Sequence, residues 1–280
     1  MSEGAGARDR PTHVLVPQRG WRGLGLAQVV PWRGLLWALV WRDIRSRYRQ
    51  AVLGVLWAVI RPVVTTALFT VVLGQLARVE ADGWPYALYA FTGVLAWGFF
   101  ASAAQAASTS VLGAGGLVTK VWIPRVLLPL ASVGAATLDF LVGAVLLGGL
   151  LAWHGVSVPW TLVLAPLAML WVALVACGVG VLLSALVTLW RDVGHAMAFL
   201  LQAWMLVTPV LYPLSLLPPA WRPVAFLNPM TGPVEAFRSA VLGTALPLGG
   251  CLASAGAGLV VLVAGLVAFQ HVERRFADLA

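Results

Sequence analysis

Charge is what this 280-residue chain has least of. Only 10% of its residues are Asp, Glu, Lys or Arg, against about 25% in an average soluble domain, while 61% are hydrophobic. A water-soluble fold of that composition could not cover its apolar surface, so lipid is the solvent for most of the chain. Alternating segments of about ten residues, the mark of membrane barrel strands, are missing too; the apolar runs are long and continuous. In lipid every backbone N–H and C=O needs an internal partner, which leaves an all-α integral membrane bundle as the fold class.

Lysine is nearly absent. Lys120 is alone, and its setting GAGGLVTKV departs from G-x-x-x-x-G-K-[ST] because Val121 follows it. No phosphate-cradling loop results, so ATP and magnesium are not expected on this chain, and no cofactor or metal site is read in it. Cys177 and Cys251 are the only cysteines and both fall inside hydrophobic runs, so neither a disulfide framework nor a zinc site follows. His13, His154, His195 and His271 are scattered, HExxH and DxD are absent, and the clustered carboxylates of a membrane glycosyltransferase do not occur. The chain reads as a non-enzyme. Its first thirty residues lack a useful apolar signal core, so insertion falls to the first true span. Pro11, Pro17 and Gly20 discourage a helix there, and residues 1–31 read as a loosely ordered cytoplasmic N-terminus.

What is present is a series of runs long enough to cross a hydrocarbon core of about 30 Å. They lie at roughly 51–76, 85–111, 126–153, 160–186, 196–211 and 248–269, giving a six-span domain over 51–270 and a cytoplasmic tail at 271–280. Between the last two spans, the segment 212–247 carries seven prolines, from Pro213 to Pro247, and admits no straight span. It is expected to be re-entrant from the outer side, either shaping the outer mouth of a channel or forming a simple extracellular cap.

The formal net charge of +8 could suggest nucleic acid, but its placement argues for membrane topology instead. Nine of the eighteen basic residues precede the first span, and placing the termini and the breaks at 113–125 and 188–195 inside leaves only Arg78, Arg222 and Arg238 outside. Both termini are therefore expected in the cytoplasm, in a multi-pass cytoplasmic (inner) membrane protein. Residues 32–50 space Trp32, Leu35, Leu36, Leu39, Val40 and Ile44 helically, with arginines on most other positions. That pattern suits an amphipathic helix in the cytoplasmic interface, in contact with membrane lipids; a plain basic flank that sets topology is the alternative.

The runs RSRYRQAVLGVLWAVIRP (45–62), KVWIPRVLLPLAS (120–132), LVTLWRDVGHAMAFLLQAWMLVTPVLYPLS (186–215) and LNPMTGPVEAFR (227–238) resemble the permease of polysaccharide-exporting ABC-2 type transporters, the exporters of O-antigen, capsule and teichoic acid. The similarity covers nearly all of the chain after residue 32. It implies a homodimer of permeases on two copies of an ABC ATPase subunit, which would hold the ATP and magnesium. The implied substrate is a lipid-linked polysaccharide passing between the two permeases. By the same resemblance Lys120 and Arg125 in one break, and Arg191 and Asp192 in the other, match the segments that dock into the ATPase; ordinary topology-setting loops are the alternative.

Arg42, Arg45, Arg47 and Arg49 are expected to attract the pyrophosphate of a lipid carrier. Arg61 lies about ten residues into the first span, where a cation costs about 2.5–3.5 kcal/mol and so should face a cavity or a partner. It is either a channel residue that touches phosphate or sugar hydroxyls, or a side chain that snorkels or pairs with Asp139 in the third span. Trp97, Trp204 and Tyr212 are further channel candidates, since aromatic faces let sugar rings slide; an interfacial aromatic belt is the default for Trp84, Tyr86 and Trp221. Two other readings remain, an exporter of a drug or small lipid and an ion-coupled carrier, although the latter needs more intramembrane acids than Asp139.

Overall fold

The computed structural model describes residues 30–49, 56–114 and 123–273, and their regular structure is helical throughout. A 3-10 turn, Val30–Trp32, leads into α1 (Arg33–Tyr48). Helix α2 (Leu56–Phe69) passes Pro62 without a break and runs on as a π-helical stretch, Thr70–Leu76. There follow α3 (Tyr86–Gly113), α4 (Leu127–Trp153), a 3-10 entry Trp160–Leu164 into α5 (Ala165–Leu189), and α6 (Arg191–Val207). Short α7 (Arg222–Ala225), α8 (Thr231–Leu242) and long α9 (Leu248–Glu273) complete the described chain.

Among the described residues, five stretches are long and apolar enough to cross a membrane: Leu56–Leu76, Tyr86–Gly113, Leu127–Trp153, Trp160–Leu189 and Leu248–Val272. Helix α6, where the fifth of the expected spans lies, has 17 residues. At 1.5 Å per residue it covers about 25 Å, less than a full hydrocarbon core. The charged break expected at 188–195 is corrected by the structure: α5 continues to Leu189, α6 begins at Arg191, and only Trp190 is non-helical between them. No proline interrupts that run, and Asp192 in the first turn of α6 complements the positive end of its dipole.

The bundle is organised around α3. Its sequence is apolar all round, as a helix surrounded by neighbours should be, and 17 of its 28 residues are buried. Helix α2 is the opposite case, with Thr66 its one buried residue, and it leans against the outside of α3 and α4. One core fills the middle of the bundle with Trp97, Phe99, Phe100, Phe237 and Val241. A second, built from Leu39, Val40, Val111, Ile123, Leu127, Val181 and Phe269, ties α1 to the end of the bundle where α3 and α5 finish and α4 begins. Arg125 and Arg191 belong to that same end by chain order, so the basic residues gather there.

Helices α5 and α9 meet on glycine. A Cβ on Gly178 would lie 2.8 Å from Leu262 Cα, and one on Gly265 would lie 2.5 Å from the Gly178 carbonyl oxygen. Both obstacles are backbone, so the helices would have to separate, as at other small-residue contacts between membrane helices. Gly178→Val is expected to destabilise the bundle by roughly 1–3 kcal/mol. A lowered midpoint of thermal unfolding in detergent would report it, and an unchanged midpoint would refute the close packing.

Candidate functional site

Helix α1 is basic, yet its arginines are not equivalent. Arg42 and Arg45 are exposed: Arg42 donates to Asp43 at 2.8 Å, and the Arg45 guanidinium stacks 5.2 Å from the Trp41 ring centre. Arg49, also exposed, follows the last helical residue. Arg47 turns the other way. Its Nη1 donates to Asp139 Oδ2 on α4 and to Ser102 Oγ on α3 at 3.3 Å, and the Tyr48 hydroxyl donates to Asp139 Oδ1. Four residues earlier Asp43 Oδ2 accepts from Ser132 Oγ at 3.2 Å. About one turn before Asp43, Val40 lies over Gly134, where a Cβ would come 2.9 Å from it. The helix is therefore docked along one side and exposed along the other, where Trp37 and Trp41 stand out. Of the four arginines expected to meet phosphate, Arg42, Arg45 and Arg49 stand exposed, while Arg47 is held by the Asp139 carboxylate.

Asp139 thus has partners, and Arg61 is not among them. The Arg61 guanidinium lies 6.0 Å from the Trp57 ring centre, and its side chain is exposed on the outward face of α2. Within the described helix it stands about 8 Å from Leu56.

At the opposite end α8 carries the most demanding group in the protein. Ten of its twelve residues are buried, and Arg238 is the largest fully buried side chain, 2% exposed. Arg238 pairs with Glu235 one turn earlier, donates from Nη2 to the Val210 carbonyl at 2.9 Å and to Pro209 at 3.3 Å, and packs 3.8 Å from the centre of the Tyr89 ring. Burial pushes the Glu235 carboxyl above its ordinary value, against the pull of that guanidinium. Gly93 on α3 makes room: a Cβ there would lie 2.3 Å from the Val210 oxygen and 2.7 Å from Arg238 Nη2.

Just before α8, Asn228 holds the turn. Its Oδ1 accepts from Trp204 Nε1 and from the Met230 amide, both at 3.0 Å, and its Nδ2 donates to Thr208 Oγ1 at 2.8 Å. Its carbonyl accepts from Ser254 Oγ at 2.7 Å, and Ser254 Oγ in turn accepts from the Gly232 amide at 3.0 Å. The sequence pairs Glu235 with Arg238 by spacing, but gives no sign that the pair is buried or that Asn228 joins three helices.

The channel candidates divide. Trp97, 4% exposed, is closed inside the bundle, its ring 5.0 Å from Phe100 and 6.1 Å from Trp204. Its aromatic surface is consumed by the core, which corrects the expectation that it lines a path. Trp204 is half-buried with its indole N–H on Asn228, and the Tyr212 hydroxyl donates to the Leu206 and Val207 carbonyls, satisfying the last turn of α6. Exposed on α6 instead are Phe199, Gln202 and Leu206, one stripe at helical spacing. Arg191 and Asp192 are exposed in its first turn, Arg125 is half-buried just before α4, and Lys120 lies outside the described residues. Two grooves of about 770 and 650 Å³ open sideways, between α5, α8 and α9 and between α2, α3 and α4. Both are walled mainly by apolar side chains, and among the described residues neither is a polar path through the chain.

Comparison with known proteins places these elements in context. Residues 34–242 match the family described as ABC-2 type transporter. The chain is 28% identical over 254 residues to an O-antigen export system permease protein, RfbA, of Myxococcus xanthus, a match covering 90% of this chain and 97% of that one. It is 24% identical over 247 residues to the protein of the same name from Klebsiella pneumoniae, covering 88% and 94%.

Proposed function

From the premise that the chain belongs to the ABC-2 type transporter family, we propose that it is the permease of an exporter that moves a lipid-linked polysaccharide of the O-antigen kind across the cytoplasmic membrane. Near full-length similarity to permeases named for O-antigen export supports the substrate class. The geometric observation that carries the reading is Arg61, a cation on the outward face of an apolar helix. Facing lipid would cost it about 2.5–3.5 kcal/mol, so a second polar surface belongs there. Since the grooves of the single chain are apolar, that surface is best supplied by a water-filled seam between two copies. Arg61, Gln202 and Tyr212 would then border the path, with Asp139 and Trp204 behind it.

In this reading α6 is the fifth of six spans, 212–247 re-enters from the outer side, and both termini face the cytoplasm. The ATPase, in two copies, binds ATP and magnesium and docks at the α1 end near Lys120, Arg125, Arg191 and Asp192. The exposed Arg42, Arg45 and Arg49 draw the carrier's pyrophosphate to the interface, and nucleotide-driven closure of the ATPase pair spreads the seam. Purification of the tagged chain in mild detergent is expected to bring down an ATPase subunit in equal amount, with ATP hydrolysis in the complex. A bare oligomer without hydrolysis, reproduced after cross-linking, would move the reading to a gradient-driven carrier.

A further inference from the structure

Asp139 is the sole acid in the stretches Leu56–Leu76, Tyr86–Gly113, Leu127–Trp153 and Trp160–Leu189. A carboxylate is costly there, and a buried ion pair is a near balance between desolvation and attraction. The pair it forms with Arg47 is also reachable: the two side chains are 27% and 25% exposed. Its neighbours on α1 are otherwise engaged, Arg42 by Asp43 and Arg45 by Trp41. Arg47 therefore has one fixed counter-ion inside the bundle and stands on a helix whose open side is basic. A guanidinium prefers a phosphate at least as much as a carboxylate, because both accept its fork and the phosphate carries more charge.

We propose that Asp139 is an internal counter-anion that clamps α1 onto α3 and α4 through Arg47 and Tyr48, and that a phosphate anion arriving at the open side of α1 competes with it for Arg47. With Arg47 drawn outward, α1 keeps the Asp43–Ser132 tie at one point and loses its hold near Tyr48, so its C-terminal turn swings away from α4. Substrate phosphate would in this way act on α1 before any contact deeper in the membrane. The inference stands on the pair itself, so its test needs neither the polysaccharide nor the ATPase.

The test measures the distance between nitroxide labels on Ser46→Cys, in the turn that is expected to swing, and Val145→Cys, both exposed positions, in the full chain with Cys177 and Cys251 replaced by alanine. Labelled chain is diluted with unlabelled chain in phosphatidylcholine nanodiscs, so that distances within one copy are read. Phosphatidylcholine alone is expected to give one narrow distance. Soluble inorganic pyrophosphate, or discs containing phosphatidic acid, is expected to add a population displaced by about 5 Å, one helical pitch. A response to phosphatidic acid alone assigns the anion to a bilayer headgroup, and a response to pyrophosphate assigns it to a free or carrier-borne phosphate. Asp139→Asn is expected to show the displaced population with no anion present. Exchanging the charges, Arg47→Asp with Asp139→Arg, is expected to restore the narrow distance and abolish the response; should that chain not fold, Arg47→Gln is expected to show the displaced distance with no response to either anion. An Asp139→Asn profile identical to the parent's, or a parent insensitive to both anions, overturns the proposal.

Discussion

Arg238→Ala is expected to abolish recovery of folded protein from the membrane. The substitution strands Glu235 as a buried carboxylate without its partner, leaves the Pro209 and Val210 carbonyls unpaired, and opens a cavity against Tyr89. Removing one member of a buried ion pair costs roughly 3–5 kcal/mol, a large share of the about 5–15 kcal/mol that holds a typical domain together. Size-exclusion of a fluorescently tagged chain should show the monodisperse peak lost. Arg238→Lys keeps the charge but not the fork that reaches the carbonyls, so an intermediate yield is expected. Gly93→Ala should resemble Arg238→Ala, because its methyl group occupies the space of Nη2 and of the Val210 oxygen. A normal peak and unchanged thermal midpoint for Arg238→Ala would mean that the pair does not hold α8 to α3.

Asn228→Ala is the second large effect. It removes the acceptor shared by Trp204 and Met230 and the donor to Thr208, so three groups lose partners at the join of α6, the turn before α8, and α8 itself. Each buried group left unpaired costs about 1–3 kcal/mol, and partial relaxation or bound water would hold the total to about 3 kcal/mol. The consequence should be readable in Trp204: its indole leaves Asn228 and its packing on Phe100, where the rings now meet at 5.2 Å. Thermal unfolding should shift downward, and export should fall with the folded fraction. Asn228→Asp keeps the shared acceptor and changes the contact to Thr208, so it is expected to lie between the two. Equal midpoints for Asn228→Ala and the parent would show that the turn is held by its backbone alone.

Much of the fold is legible in the chain. The helices at Tyr86–Gly113, Leu127–Trp153 and Leu248–Glu273 begin and end within a few residues of where the apolar runs and charged breaks place them. Length and hydropathy suffice there because lipid demands unbroken backbone hydrogen bonding. The TLWRDVGH break at 188–195 misleads for a related reason: its charges mark the membrane boundary, but nothing in it breaks a helix except at Trp190.

Facing is much less legible. In a soluble helix polar residues mark the outside, whereas α3 to α5 are apolar towards both protein and lipid, so spacing does not reveal which side is buried. Trp97 and Trp204 look alike in sequence, yet one ring is enclosed and the other is half-exposed. Arg42, Arg45, Arg47 and Arg49 read as one basic cluster, and only the position of Asp139 on a neighbouring helix singles out Arg47.

By itself the sequence determined that this protein lives in a membrane, that it is helical, and roughly where its long apolar helices lie. Those properties follow from composition and run length, both of which are local. Only the tertiary structure decided which way each charge faces: Arg238 and Arg47 inward, Arg42, Arg45 and Arg61 outward. The physical reason is that the cost of a charge in a bilayer depends on what stands opposite it, and the groups opposite Arg47 and Arg238 include residues 92 and 28 positions away.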